Sequence, residues 1–174
     1  MRSDSMQEDS FGFFIKRLGA PKNEQERYNG FTLDSDWMGD MTFSKPSTVV
    51  MGLPGSTYYE SNVTVEDSTI INGAIILCAD GEDGVTISAA GKLVLINCII
   101  KRAAGTQVAS ECYIRVASGG LLVASGCIFE GAQTAGNIIT NAGAGTKAMV
   151  SGCVNATGLG GASYVNVTTA TEVL

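Results

Sequence analysis

The sequence predicts an all-β chain wound as a coil of about four turns, each turn being one copy of a repeat. Three observations carry this. One short pattern recurs between Val65 and Gly158, at Thr69–Ala74, Cys98–Ala103, Cys127–Ala132 and Cys153–Gly158, with first residues 29, 29 and 26 positions apart. The chain holds 22 Gly against 3 Pro, which supplies corners while leaving the segments between them free to pair. No period has room for a long helix, so strands alternating with helices are excluded. An antiparallel meander would suit the strand lengths, but it would not bring equivalent residues back once per period among the same neighbours.

The segments follow in order. Asp9 or Ser10 is placed to cap a short helix in which Phe11, Phe14, Ile15 and Leu18 share one face, and Gly19-Ala20-Pro21 would stop it. Polar sequence from Lys22 to Asn29 leads into loop-like sequence carrying Phe31, Trp37, Met38, Met41 and Phe43. Strand character begins at Thr48–Met51, and Pro54-Gly55 makes a turn. We therefore divide the chain into an arm or cap over 1–55, partly helical and partly extended, and a repeat domain over 56–174. Strands are expected at Val63–Val65 running into Ile70-Ile71, then at Ala74–Cys78, Val85–Ser88, Leu93–Ile100, Cys112–Val116, Leu121–Phe129, Asn137–Thr140 and Tyr164–Thr168.

Stacking at about 4.8 Å per turn turns equivalent positions into ladders. Thr69, Cys98, Cys127 and Cys153 are expected to form one internal ladder, and Ile71, Ile100 and Phe129 a second. Alternation then turns Ile70, Ile99 and Ile128 outward as an apolar stripe suited to burial against another subunit. Three of the five cysteines thus read as small buried hydrophobes. A disulfide framework fits less well, since their number is odd and the chain reads as made in a reducing cytoplasm.

Composition narrows the function. The formal charge is −6 and there is no His, which disfavours nucleic acid or an anionic membrane as partner and removes the commonest general base and metal ligand. No run approaches the roughly 18 apolar residues of a membrane span, and residues 1–18 do not read as a signal peptide. The densest acidic cluster, Asp80, Glu82 and Asp83, offers oxygens for Ca²⁺, but it lacks the spacing and distal Glu of an EF-hand loop, and a solvated turn is the favoured reading. Glu66, Asp67 and Glu130, with Lys101 and Arg102, are the residues from which a polysaccharide-cleaving site would be built if they met across turns; outward solubilising charge is the plainer reading. No metal, cofactor or catalytic residue is assigned.

Period, Gly corners and ladder composition over residues 60–170 resemble the right-handed parallel β-helix of the pectate-lyase-like class, as used in bacteriophage tailspikes, head fibres and capsid decoration proteins. The resemblance implies a virion structural protein made in the host cytoplasm, and a homotrimer. A short solenoid rich in Ala also argues for oligomerisation. Each buried Ile, Leu or Val contributes about 1.5–3 kcal/mol, against about 1–2 kcal/mol per ordered residue. We expect a trimeric capsid decoration (cement) protein, not an enzyme, with Ile70, Ile99 and Ile128 at the trimer interface. Phe11, Phe13, Phe14, Leu18, Trp37 and Phe43 of the arm would dock on a major capsid protein or another virion protein, or alternatively cap the open end of the coil. The alternative function is a fibre or tailspike-type protein touching a surface glycan, for which Tyr113 and Tyr164 are the aromatic candidates. A small polysaccharide-active enzyme is the third reading.

Overall fold

The computed structural model describes the chain without a break over 62–141 and 146–159, together with residues 46–52 and shorter strand segments from residue 30 to residue 173. Its strands come in sets of three per turn. The first set is β1 (Gly30–Leu33), β2 (Trp37–Met38) and β3 (Met41–Phe43); the second is β4 (Thr48–Gly52), β5 (Tyr58–Glu60) and β6 (Val63–Val65). Next come β7 (Ser68–Asn72), β8 (Ile75–Leu77) and β9 (Val85–Ile87), followed by β10 (Lys92–Ile96), β11 (Ile99–Lys101) and β12 (Cys112–Val116). Then come β13 (Leu121–Ser125), β14 (Ile128–Glu130) and β15 (Asn137–Asn141), and finally β16 (Lys147–Ala156), β17 (Tyr164–Val165) and β18 (Thr168–Val173).

These strands stack in three parallel columns. β1, β4, β7, β10, β13 and the first half of β16 form column 1; β2, β5, β8, β11, β14 and the second half of β16 form column 2; β3, β6, β9, β12, β15 and β17 form column 3. β18 stacks on β16 through two irregularities in register. This is a parallel β-solenoid, with about four turns, β4 to β15, as its body. Among the described residues there is no helix. The expected helix over residues 9–18 lies outside them.

The interior is built from ladders that each residue type extends by one rung. Thr48, Thr69, Leu93, Leu122 and Ala148 form one, and Val50, Ile71, Leu95, Ala124 and Val150 another, both on the inner face of column 1. Ile76, Ile100 and Phe129 line column 2, and Phe43, Val65, Ile87 and Val116 line column 3. Alternate residues face out on β10 and β13, where the burial pattern follows period two, whereas β12 and β15 bury consecutive residues next to the corner from column 2.

The corner between columns 1 and 2 is a single residue in the left-handed region: Gly73 (φ 73°), Asn97 (φ 51°), Gly126 (φ 63°) and Gly152 (φ 59°). This breaks Leu93–Ile100 and Leu121–Phe129 into two strands each, where the sequence reading had one. The residue after the corner always points inward. The small-residue ladder is accordingly Ala74, Cys98, Cys127 and Cys153, tied by Ile99 N–H to Ala74 O, Ile128 N–H to Cys98 O and Val154 N–H to Cys127 O.

Thr69 belongs to a different ladder, and Ile71 stacks with Leu95 and not with Ile100. The first spacing is shorter than expected because the 78–84 corner is three residues shorter than 102–111 and β9 two residues shorter than β12. β1–β4, which lie before the expected boundary at residue 55, stack in the same columns as the later strands, so the described part of the solenoid begins by Gly30.

The five cysteines are free and buried. Their thiols donate to corner carbonyls: Cys98 to Ile96 O (3.3 Å) and Ile71 O (3.4 Å), Cys127 to Ser125 O (3.5 Å), and Cys153 to Ala124 O and Ser151 O (3.6 Å each). Hydrogen bonding with Cys153 and Cys98, and then burial, push the Cys127 thiol well above its ordinary value. Hydrogen bonding with Cys127 draws the Cys98 thiol the other way, below its ordinary value.

The corner residues generate a graded prediction. A Cβ at Gly126 would lie 2.5 Å from Asn97 Oδ1, whereas one at Gly152 meets nothing within 4 Å. Gly126→Ala is expected to cost about 2–3 kcal/mol and Gly152→Ala about 1 kcal/mol, since only the first adds a clash to the left-handed strain. Urea denaturation of both variants checks the order, and equal costs would contradict it.

Candidate functional surfaces

Of the corners from column 2 to column 3, at 78–84, 102–111 and 131–136, the first two rest on one buried cation. Arg102 is 1% exposed. Its Nη1 donates to Ala79 O (2.8 Å) and Glu111 Oε2 (3.3 Å), and its Nη2 to Glu82 O (2.7 Å) and Cys112 O (3.4 Å). The guanidinium lies 5.7 Å from the Tyr113 ring centroid. Gln107 and Gln133 continue the polar seam. Gln133 Oε1 accepts from Gln107 N–H (2.8 Å), Gln133 Nε2 donates to Ala103 O (2.6 Å), and Gln107 Nε2 donates to Glu111 O and Asn137 O (3.0 and 2.9 Å). A buried charge persists only when paired and hydrogen-bonded, and here the partners come from successive turns. Burial pushes the neighbouring Cys78 thiol up to about 12.

This placement corrects the outward reading of Arg102, which is interior to the corner. Lys101 and Glu130 do meet, at 3.4 Å, with both side chains partly exposed. Glu66 and Asp67 sit between β6 and β7, at the corner from column 3 to column 1, while Glu130 ends a column 2 strand, so the topology separates them. Asp67 instead accepts a hydrogen bond from Ser68 N–H (2.7 Å).

The outer face of column 3 carries Thr42, Thr64, Thr86, Arg115 and Thr140 in register. Its lower rungs form the floor of a groove of about 530 Å³, walled by Asn62, Glu82, Asp83 and Glu111. Every described residue around this groove is polar or Gly. Asp83 organises it. Its Oδ1 accepts from Cys112 N–H (2.9 Å), Cys112 Sγ–H (3.2 Å) and Arg115 Nη2 (3.0 Å), and its Oδ2 from Arg115 Nε. Arg115 Nη2 also donates to Ser110 O (2.8 Å). Partial burial raises the cost of the Asp83 charge, but the bonds from Arg115 and Cys112 outweigh it and hold the carboxyl below its usual range. Among the described residues no group of three Cys, Asp or Glu side chains is arranged to hold a metal ion.

A second surface is apolar. Val49, Ile70, Val94, Val123 and Met149 form an outward ladder on column 1, and Ile99, Ile128 and Val154 one on column 2, in register with the buried Ile75. Ile70 and Met149 are 39% and 43% exposed; Ile99 and Ile128 are half-buried. The expected stripe of Ile70, Ile99 and Ile128 is therefore two adjoining ladders and not one. Lys92 and Lys147 lie exposed in register on the column 1 flank.

The arm residues divide. Phe43 is a core residue, 2% exposed, and so does not offer its ring to a partner. Trp37 lies in β2, paired with Tyr59 of β5. Phe11, Phe13, Phe14 and Leu18 lie outside the described residues. Of the aromatic candidates for a glycan, Tyr113 is buried with its hydroxyl donating to Glu130 O (3.1 Å), and Tyr164 pairs with Ile139 in column 3. The groove went unread in the sequence. The signal was Val63-Thr64-Val65 and Val85-Thr86-Ile87, two apolar–Thr–apolar triplets that become neighbouring rungs.

Comparison with protein families, with curated proteins and with solved structures finds no match to this chain.

The Asp83 geometry fixes a pH dependence. Because its folded-state pKa lies below the unfolded value near 3.8, its stabilisation is complete above that value and is lost as pH falls through the folded one. Asp83→Asn is expected to lose about 1–2 kcal/mol at pH 7, discounted for the partial exposure of Arg115. The gap to the parent chain should close below pH 4 in urea titrations across pH. A gap that does not narrow as pH falls below the unfolded value would assign the loss to packing.

Proposed function

We propose that this chain is a non-enzymatic structural protein of a tailed-bacteriophage virion, a homotrimeric capsid decoration (cement) protein. The supporting observation is the apolar outer face that runs in register across columns 1 and 2. On a monomer those two ladders hold β-branched residues against water at successive rungs. Three copies around a common axis would cover them and the adjoining strand flank together, at about 25 cal/mol per Å² of apolar surface removed. We take the winding as right-handed, following the general handedness of parallel crossovers. Because the solenoid begins by Gly30, docking on the major capsid protein or another virion protein falls to residues 1–29, with Phe11, Phe13, Phe14 and Leu18 as its apolar contacts. Trimerisation links three such arms, and the second and third engage at a far higher effective concentration than the first.

Light scattering on three chains tests this. The full chain and the chain lacking residues 1–29 are expected to be trimers. The double variant Ile70→Asp/Ile128→Asp is expected to be a folded monomer by circular dichroism. Capsid co-sedimentation should be retained by the full chain and lost on truncation. A full chain that is monomeric at about 100 μM, well above the concentration at which a micromolar interface saturates, would sink the trimer reading. Capsid binding by the truncated chain would sink the arm reading.

A further inference from the structure

We propose that the stacked thiols of Cys98, Cys127 and Cys153 are a binding site for a soft metal ion that takes two collinear thiolate ligands, the ion lying between neighbouring rungs. The inference depends neither on the apolar face nor on the oligomeric state.

The side chains share one conformation. Cys98 Sγ lies against Ile96 O and Ile71 O, and Cys153 Sγ against Ser151 O and Ala124 O, which are the same two backbone positions two turns on. Cys127 Sγ meets Ser125 O, the equivalent of the first. Like rotamers on in-register rungs set each sulfur about 4.8 Å from the next. The Cys127 thiol interacts with both neighbours.

That spacing selects the chemistry. Cβ atoms a full rung apart exceed the roughly 3.5–4.5 Å of a disulfide, and the thiols are free. Two thiolate bonds of about 2.3 Å laid end to end span about 4.6 Å, close to one rung. Zinc takes four ligands around a point, whereas the ladder offers sulfurs only in a line. Cu(I), Ag(I) and Hg(II) accept two ligands in a line and favour soft sulfur. On binding, two S–H protons leave to solvent and two metal–sulfur bonds form, with no change in oxidation state. Ile96 O, Ser125 O and Ser151 O also accept the backbone N–H groups of Gly73, Asn97 and Gly126, so loss of the thiol protons orphans none of them. Cys153 Sγ itself accepts from Cys127 N–H (3.3 Å), a bond suited to an electron-rich sulfur.

Charge then orders the ions. The buried charged residues among those described are Arg102 and Glu111, paired with each other at the corner from column 2 to column 3. Neither offsets charge on the ladder. A monovalent ion between two thiolates leaves one negative charge in the core and a divalent ion leaves none, so Hg(II) should be held more tightly than Ag(I) or Cu(I). Entry is short. The thiols lie one residue behind Asn97, Gly126 and Gly152, all exposed, and a Cβ at Gly152 would meet nothing within 4 Å.

The test is titration of the full-length chain with Hg(II), Ag(I), Cu(I) and Zn(II), read by native mass spectrometry, metal-edge X-ray absorption and thermal melting. Alanine is the replacement used, since Ala74 already occupies the first rung of this ladder. The parent chain should retain Hg(II) at two sulfurs and melt about 5 °C higher with it. Cys98→Ala and Cys153→Ala each keep an adjacent pair and should do the same. Cys127→Ala leaves its two ladder thiols two rungs apart and should lose both the two-sulfur signature and the melting shift. Ala74→Cys/Cys127→Ala restores an adjacent pair with Cys98 and should recover both. Cys78 and Cys112 are present throughout, so binding at single thiols is common to the series. The proposal is overturned by a parent chain that holds Hg(II) at one sulfur, by a two-sulfur signature that survives Cys127→Ala, or by tighter retention of Zn(II).

Discussion

From β7 onward the solenoid depends on one backbone conformation repeated on one side of each turn. At Gly73, Asn97, Gly126 and Gly152 the chain enters the left-handed region for a single residue. That residue turns column 1 into column 2 without a loop, so the two columns keep a constant offset from β7 to β16. The inward position that follows must then be small, and Ala74, Cys98, Cys127 and Cys153 fill it. Carbonyls freed at the bend find thiol partners there. Asn97 is the one non-Gly corner, a residue type that tolerates this conformation better than most. Its side chain sits where a Cβ on Gly126 would be, so the two corners are complementary across a rung.

The opposite corner is built on different chemistry. Loops of unequal length cannot hold one another by backbone register alone, and the 78–84, 102–111 and 131–136 segments differ in length. Arg102 compensates by placing a fixed fork of donors where the carbonyls of Ala79 and Glu82 in the 78–84 loop meet that of Cys112 at the start of β12. Its pairing with Glu111 carries that order outward, because Glu111 is also a wall of the groove. The Asp83–Arg115 pair repeats the device nearer the surface. The groove is thus shaped by two ion pairs whose charges are satisfied within the protein.

Much of the architecture was legible in the sequence, and its misreadings have physical causes. The period and the Gly corners announce a coil because a stacked rung must recur. The register of the first turn was misassigned because that turn contains two Ile-Ile pairs, Ile70-Ile71 and Ile75-Ile76. Matching Ile99-Ile100 to the former is natural on identity alone; the left-handed residue just before the ladder selects the latter. Phe43 read as free because residues 30–52 lack the Cys-Ile-Ile mark. They belong to the stack through apolar alternation, which a motif search does not register. Arg102 and Tyr113 were misread for a shared reason. Each looks solvent-facing by type, and only the fold supplies the carbonyls that let an interior corner accept them.

The columns distribute surface chemistry with little interference. On columns 1 and 2 the outward positions are mostly β-branched and apolar, which suits a strand and also a protein contact. On column 3 the outward positions are Thr and Arg, which suit a strand equally well but keep the face hydrated. Where alternation holds, as on β10 and β13, an outward residue can change without touching the interior. A mutation at Ile70 is then an event of the apolar face, and one at Thr64 an event of the groove. The buried seam around Arg102 is the exception: its Glu111 partner lies at once in the interior corner and along the groove, so a change there would alter stability and groove shape together.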